Sequence, residues 1–149
     1  MRARRWQRLH SHERAILALV AAGLLLLFAV GRLLTPDPRG VGTHEQIGLP
    51  PCATNLLFHI PCPFCGMTTA FSLMAHGEWA AAIKTQPAGA LLALVAAASF
   101  VATAAAAVSG RGLPPELVAR VSRWAWKIVI VIVLVAWVYK LAVYHVARP

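Results

Sequence analysis

Three cysteines are the residues of this chain best equipped for chemistry. Cys52 stands in Pro50-Pro51-Cys52, and Cys62 and Cys65 form a Cys-x-x-Cys pair within Ile60-Pro61-Cys62-Pro63-Phe64-Cys65-Gly66-Met67-Thr68-Thr69. Thiolates are nucleophiles and soft ligands, so this spacing admits three chemistries. The first is a metal site. Zinc normally takes four ligands; Cys52, Cys62 and Cys65 supply three, and His59 or His76 a fourth. The second is thiol redox chemistry, because Cys62 or Cys65 near a helix N-terminus would feel the positive end of the helix dipole and ionise more readily. The third is structural. Pro61 and Pro63 fix the turn, Gly66 permits a tight approach, and the cysteines pack as small apolar groups or form a disulfide. Cys52 bridged to Cys62 or Cys65 would close a loop of about a dozen residues, worth roughly 3 kcal/mol in the chain-entropy model. With three cysteines, one is left over. The structural reading carries most weight in the sequence. A second Cys-x-x-Cys pair, which would strengthen a metal site, is missing, and so is the alternating strand and helix pattern of a thioredoxin-like fold.

The elements that must position these thiols belong to a membrane scaffold. Of 149 residues, 59% are hydrophobic and only 13% charged, unlike a soluble domain. The 14 Lys and Arg against 5 Asp and Glu give a formal charge of +9. Those charges flank apolar runs, which argues for membrane topology and against a nucleic-acid partner. A hydrocarbon core about 30 Å thick takes roughly 20 apolar helical residues to cross, and three runs qualify. They are residues 15–34, 87–108 and 126–146. Pro87 suits the first turn of the second span and Gly110 its exit. The third span contains a β-branched run from Ile128 to Val135, which would read as a buried strand in a soluble protein; its length and its basic, aromatic flank argue for a helix in lipid.

Arg2, Arg4, Arg5, Arg8 and Arg14 precede the first span, and Arg111, Arg120, Arg123 and Lys127 lie between the second and third. The positive-inside rule then places residues 1–14 and 109–125 in the cytoplasm of a cell with an inner membrane. Residues 35–86 and 147–149 fall outside. A competing reading, a cleaved signal peptide over residues 1–31, is disfavoured by an apolar run longer than usual for such peptides.

Between the first two spans the composition changes. Pro36, Pro38, Gly40, Gly42, Gly48, Pro50 and Pro51 predict an extended loop without regular elements before Cys52. After Gly66, Met67 to Ala75 reads as a short helix ended near Gly77, and Glu78 to Lys84 as one or two further turns before Pro87. Thr68, Thr69 and Ser72 suit capping or back-bonding within that helix. The fold expected is therefore all-α: three transmembrane helices, with a short re-entrant or interfacial helical hairpin between the first and second. Glu78 and His76 read as a solvated pair, and Lys140, the charge inside the third span, as snorkelling toward the outer interface.

Cys52, Pro61-Cys62-Pro63-Phe64-Cys65-Gly66-Met67-Thr68, the Ala-containing helix, Gly77 and Gln86-Pro87 together resemble a bacterial family, domain of unknown function 2752. That family usually carries Pro-Cys-Pro-x-Cys-Gly-Leu/Met-Thr-Arg-Ala, and this chain has Thr69 in the Arg position. The resemblance covers roughly Cys52 to Leu94. It implies a small multi-span membrane protein, in which Pro61, Pro63, Gly66, Thr68, Gly77 and Pro87 shape the motif, and it supplies no activity. The reading taken forward is a non-enzymatic membrane component whose Cys hairpin is packed, disulfide-linked or metal-bound and recognises a partner. A thiol-disulfide or metal-handling protein using Cys62 and Cys65 is the alternative. Zinc is the cofactor the residues would take. The bilayer is the first partner, and the small residues of the second span suit a homo-oligomer or a membrane-protein partner.

Overall fold

The computed structural model describes residues 7–58 and 60–146. His59, the tail arginines Arg2, Arg4 and Arg5, and Arg148 lie outside the described residues. The described residues are mostly helical, with one two-stranded ribbon and connecting turns.

Helix α1 runs Ser11–Leu33, α5 Pro87–Ser109 and α6 Pro115–Val146, and each contains a stretch long and apolar enough to cross a membrane. Their large apolar side chains face outward: Leu19, Leu26, Val101 and Val135 are all exposed. Outward leucine and valine on three long helices is the arrangement a lipid solvent favours, since only an apolar surround would cover them without cost. Between α1 and α5 come a single 3-10 turn at Thr43–Ile47, then the short helices α2 (Ala53–Phe58), α3 (Met67–Ala75) and α4 (Trp79–Thr85). The 3-10 turn is a correction to the unbroken loop expected before Cys52. It forms because Gly42 and Gly48, at φ +96° and +80°, take the left-handed backbone at its two ends.

The third span also departs from expectation. Its helix reaches back from Trp126 to Pro115, taking in residues expected to form a basic loop. Pro115 fits a first helical turn and Glu116 favours a helix N-terminus, and nothing between them and Trp126 breaks the helix. Lys127 instead lies over Trp124 and Trp126, its ammonium 4.8 and 5.6 Å from their ring centroids.

The ends of the helices are tied at two levels. At one, β1 (Gln7–Arg8) pairs antiparallel with β2 (Arg111–Gly112), and Arg14 donates to the Ala107 carbonyl at 2.9 Å and the Val108 carbonyl at 3.3 Å. A cation there satisfies carbonyls that the end of α5 leaves open. At the other, Ser72 of α3 donates to the carbonyls of Gly31 and Leu34 at 2.8 and 2.7 Å, closing the end of α1. Gly31 passes close to Phe71, and Gly89 of α5 to Met67 and Ala70, so a side chain at either glycine would press on α3. The small core consists of Ala70, Leu73, Ala82 and Ala90, from α3, α4 and α5. Thus α3 sits wedged between α1 and α5, and the thiol-bearing turn ahead of it is held at the end opposite the ribbon.

Candidate metal centre

The turn that carries Cys62 and Cys65 is built by its prolines and by Gly66. The Cys65 N–H donates to the Cys62 carbonyl and the Met67 N–H to the Phe64 carbonyl, each at 3.0 Å. Gly66 then takes φ +82° and starts α3. A Cβ there would lie 2.5 Å from the Gly40 carbonyl oxygen and would also meet the Lys140 ammonium, so both the backbone angle and the close approach require glycine. Two groups behind the turn, the buried Gln86 and the half-buried Trp137, hold its carbonyls. Gln86 donates through Nε2 to Pro63 at 3.0 Å, and Trp137 of α6 through Nε1 to Pro61 at 2.9 Å.

Cys52 comes from the other direction, at the start of α2. The Leu56 N–H donates to the Cys52 carbonyl at 3.0 Å, which makes Cys52 the residue that caps this helix. The result is convergence: the Sγ atoms of Cys52, Cys62 and Cys65 all lie within 4.8 Å of one another. Cys62 and Cys65 are 3.4 Å apart, and all three are free thiols. Cys65 is buried, and Cys52 and Cys62 are half-buried. A cavity of about 400 Å³ opens onto the group, with Arg39, His44, Glu45 and Thr68 along its wall.

The electrostatics of the three are unequal. At Cys52 burial opposes ionisation, but hydrogen bonds from the Asn55 backbone, Cys65, Thr54 and Cys62 outweigh it and bring the thiol down to about 6. Burial pushes Cys65 up to about 12, aided by its bonds to Cys62 and Cys52. Of these two, Cys52 is the readier to ionise. The sequence pointed to Cys62 or Cys65 as the activated thiol; at Cys65 burial works against it, and the bond that most favours Cys52 comes from α2, which the sequence did not reveal.

The remaining expected residues fall as follows. His76 ends α3, with Nδ1 2.8 Å from the Ser72 carbonyl, and is not among the groups brought to the thiols. Gly77, at φ +82°, lets the chain leave α3, with the Glu78 N–H donating back to Leu73 at 2.9 Å. Pro87 is the first residue of α5. Thr69 is buried and accepts a hydrogen bond from Thr43 at 2.8 Å. Thr43 in turn accepts from the Asp37 N–H at 3.0 Å, so the pair pins the preceding loop onto α3. On the rim, Arg39 pairs with Asp37 at 2.7 Å and Glu45 at 3.2 Å, and the bond from Arg39 holds the Asp37 carboxyl below its usual range.

Sequence reasoning missed Trp137 and the partners of Lys140. Lys140 reaches the segment between the first two spans. Its Nζ donates inward to Thr85 at 3.2 Å and Gly40 at 3.4 Å. The available signal was the charge itself, isolated within an apolar span, where an ionisable residue normally has an inward partner.

In comparison with known proteins, residues 52–100 match the model of one family, described as a protein of unknown function (DUF2752), the family that the Cys motif resembles. The match takes in all three cysteines, α3, α4 and the first part of α5. No curated protein and no solved structure matches the chain.

Proposed function

We propose that this chain is a non-enzymatic, multi-span protein of the cell's inner membrane whose loop segment binds one zinc-class metal ion through Cys52, Cys62 and Cys65. The ion would fix the segment in the form a partner recognises. The N-terminus lies in the cytoplasm and the thiol segment outside. The observation that carries the reading is the convergence of three Sγ atoms within 4.8 Å of one another. With zinc–sulfur bonds of about 2.3 Å, two sulfurs on a tetrahedral ion stand roughly 3.8 Å apart, so small shifts would bring all three into one coordination sphere. A disulfide staple uses two sulfurs and has no need of the third. The low-lying Cys52 thiol supplies one thiolate at neutral pH, and the metal would displace the protons from the others. Three protein ligands leave the fourth position to face the cavity.

Cobalt titration of the reduced protein in detergent tests this. A thiolate-to-cobalt absorption band that saturates near one ion per chain, and is lost in Cys62→Ser, is the expected result. Reduced wild-type protein that gives no such band overturns the reading. One observation favours a second reading, thiol-disulfide exchange: the Cys52 thiolate sits beside Cys62 and Cys65, where it could attack a disulfide between them and release one of the pair as a thiolate. Metal-free protein recovered from membranes with Cys62 joined to Cys65, and a Cys52 that reacts rapidly at pH 6, would favour that reading.

A further inference from the structure

We infer that Lys140 is the counter-charge of the three-thiol centre, so that the third span is part of the metal site; this rests on the metal reading above. Three thiolates around a divalent ion carry a net charge of −1, and a net charge in a half-buried place is costly unless an opposite one stands near. Within the third span Lys140 alone can supply it, since residues 128–147 contain no other Lys, Arg, Asp or Glu. Its ammonium is brought to the Cys turn by geometry. It donates to the carbonyls of Thr85 and Gly40, and it occupies the space beside Gly66 that a Cβ would need. Gly66 directly follows Cys65, so the missing side chain is what admits the ammonium.

The charge has no other use that the structure shows. Among the described residues no carboxylate lies within ion-pairing distance of Lys140, and both hydrogen-bond acceptors are neutral. The turn it reaches, through Gly66, is the one that carries Cys62 and Cys65. Trp137, one turn earlier on α6, holds the Pro61 carbonyl ahead of the same turn. Two residues of the third span thus grip the thiol turn, one by a neutral hydrogen bond and one with a charge. Lys140 is a positioning residue: it touches the turn and acts on the ion through the thiolates.

Zinc affinity, measured by competition with a chromogenic chelator on detergent-purified full-length protein, tests the assignment. Wild type, Cys62→Ser, Lys140→Arg, Lys140→Gln and Lys140→Met are compared at one pH. Lys140→Gln keeps a donor and removes the charge, and Lys140→Arg keeps the charge. Affinity should fall roughly 10- to 100-fold in the Gln and Met variants, the range for an outer-shell partner, with Arg staying close to wild type. Gln and Met variants that bind as wild type overturn the inference, as does a Gln variant that matches Arg, because hydrogen bonding alone would then suffice. A readout on the unaltered chain stands beside these in case a variant fails to fold. Acetylation of Lys140 should slow when zinc is bound, and a rate indifferent to zinc contradicts the pairing. Failure of the metal reading is distinct, since wild type and Cys62→Ser would then both fail to take up zinc.

Discussion

Cys52 and Cys65 have the same side chain and opposite tendencies. One caps α2 and collects hydrogen bonds, while the other is buried and gives them. With thiols at about 6 and about 12, Cys52 is ionised above pH 6 and Cys65 stays protonated through the physiological range. Alkylation of the metal-free protein by iodoacetamide should therefore label Cys52 first, at a rate that climbs through pH 6 and levels by pH 8. Peptide mapping that finds Cys65 modified first at pH 7 would contradict the geometry. The same inequality makes metal uptake release protons, so affinity falls as pH falls, steeply once Cys52 too is protonated below pH 6. The identity of the thiols was legible in the sequence, because cysteine beside proline and glycine is a local signal. Which thiol ionises was not, because it depends on α2 bringing Cys52 to a turn ten residues away in the chain. Lys140 shows the same limit: the charge was visible, but its acceptors, the carbonyls of Thr85 and Gly40, depend on how α6 packs.

At the scale of elements, α3 is the wedge that fixes the rest. Gly66 and Gly77 mark its limits, and the sequence placed this helix and α4 because such punctuation is local. The 3-10 turn at Thr43–Ile47 escaped notice because it is held by Thr43 bonding to Thr69 on α3, a contact across 26 positions. Ser72 read as a residue that caps or back-bonds its own helix, and it instead bonds the carbonyls of Gly31 and Leu34 on α1. Ser72→Ala would leave these two without their buried donor. The expected cost is about 1–3 kcal/mol, seen as a lower melting temperature in detergent, with cobalt binding retained at low temperature. An unchanged melting temperature would show that α1 and α3 are held together by packing alone.

For the molecule as a whole, the three spans were legible because length and apolarity suffice to define them, and lipid-facing surfaces need no partner to be recognised. The ribbon of β1 with β2 puts Gln7–Arg8 and the turn after α5 at one end, in keeping with the shared side that the charges predict. The thiol segment then lies at the opposite end. In intact cells treated with mild reductant, a membrane-impermeant maleimide should label Cys52; labelling seen only after lysis would place the segment in the cytoplasm. What the sequence left undecided was the choice among staple, redox pair and metal site, since that choice rests on the distance in space between Cys52 and the later pair. The three sulfurs lie within 4.8 Å of one another, and the proposed metal centre is the reading drawn from that convergence. Metal analysis of protein purified from membranes without added chelator tests that centre most directly. The account predicts about one zinc-class ion per chain in the wild type, with the ion lost from Cys52→Ser, Cys62→Ser and Cys65→Ser alike. Metal-free wild-type protein, or full loading that survives removal of any one of the three sulfurs, would contradict it.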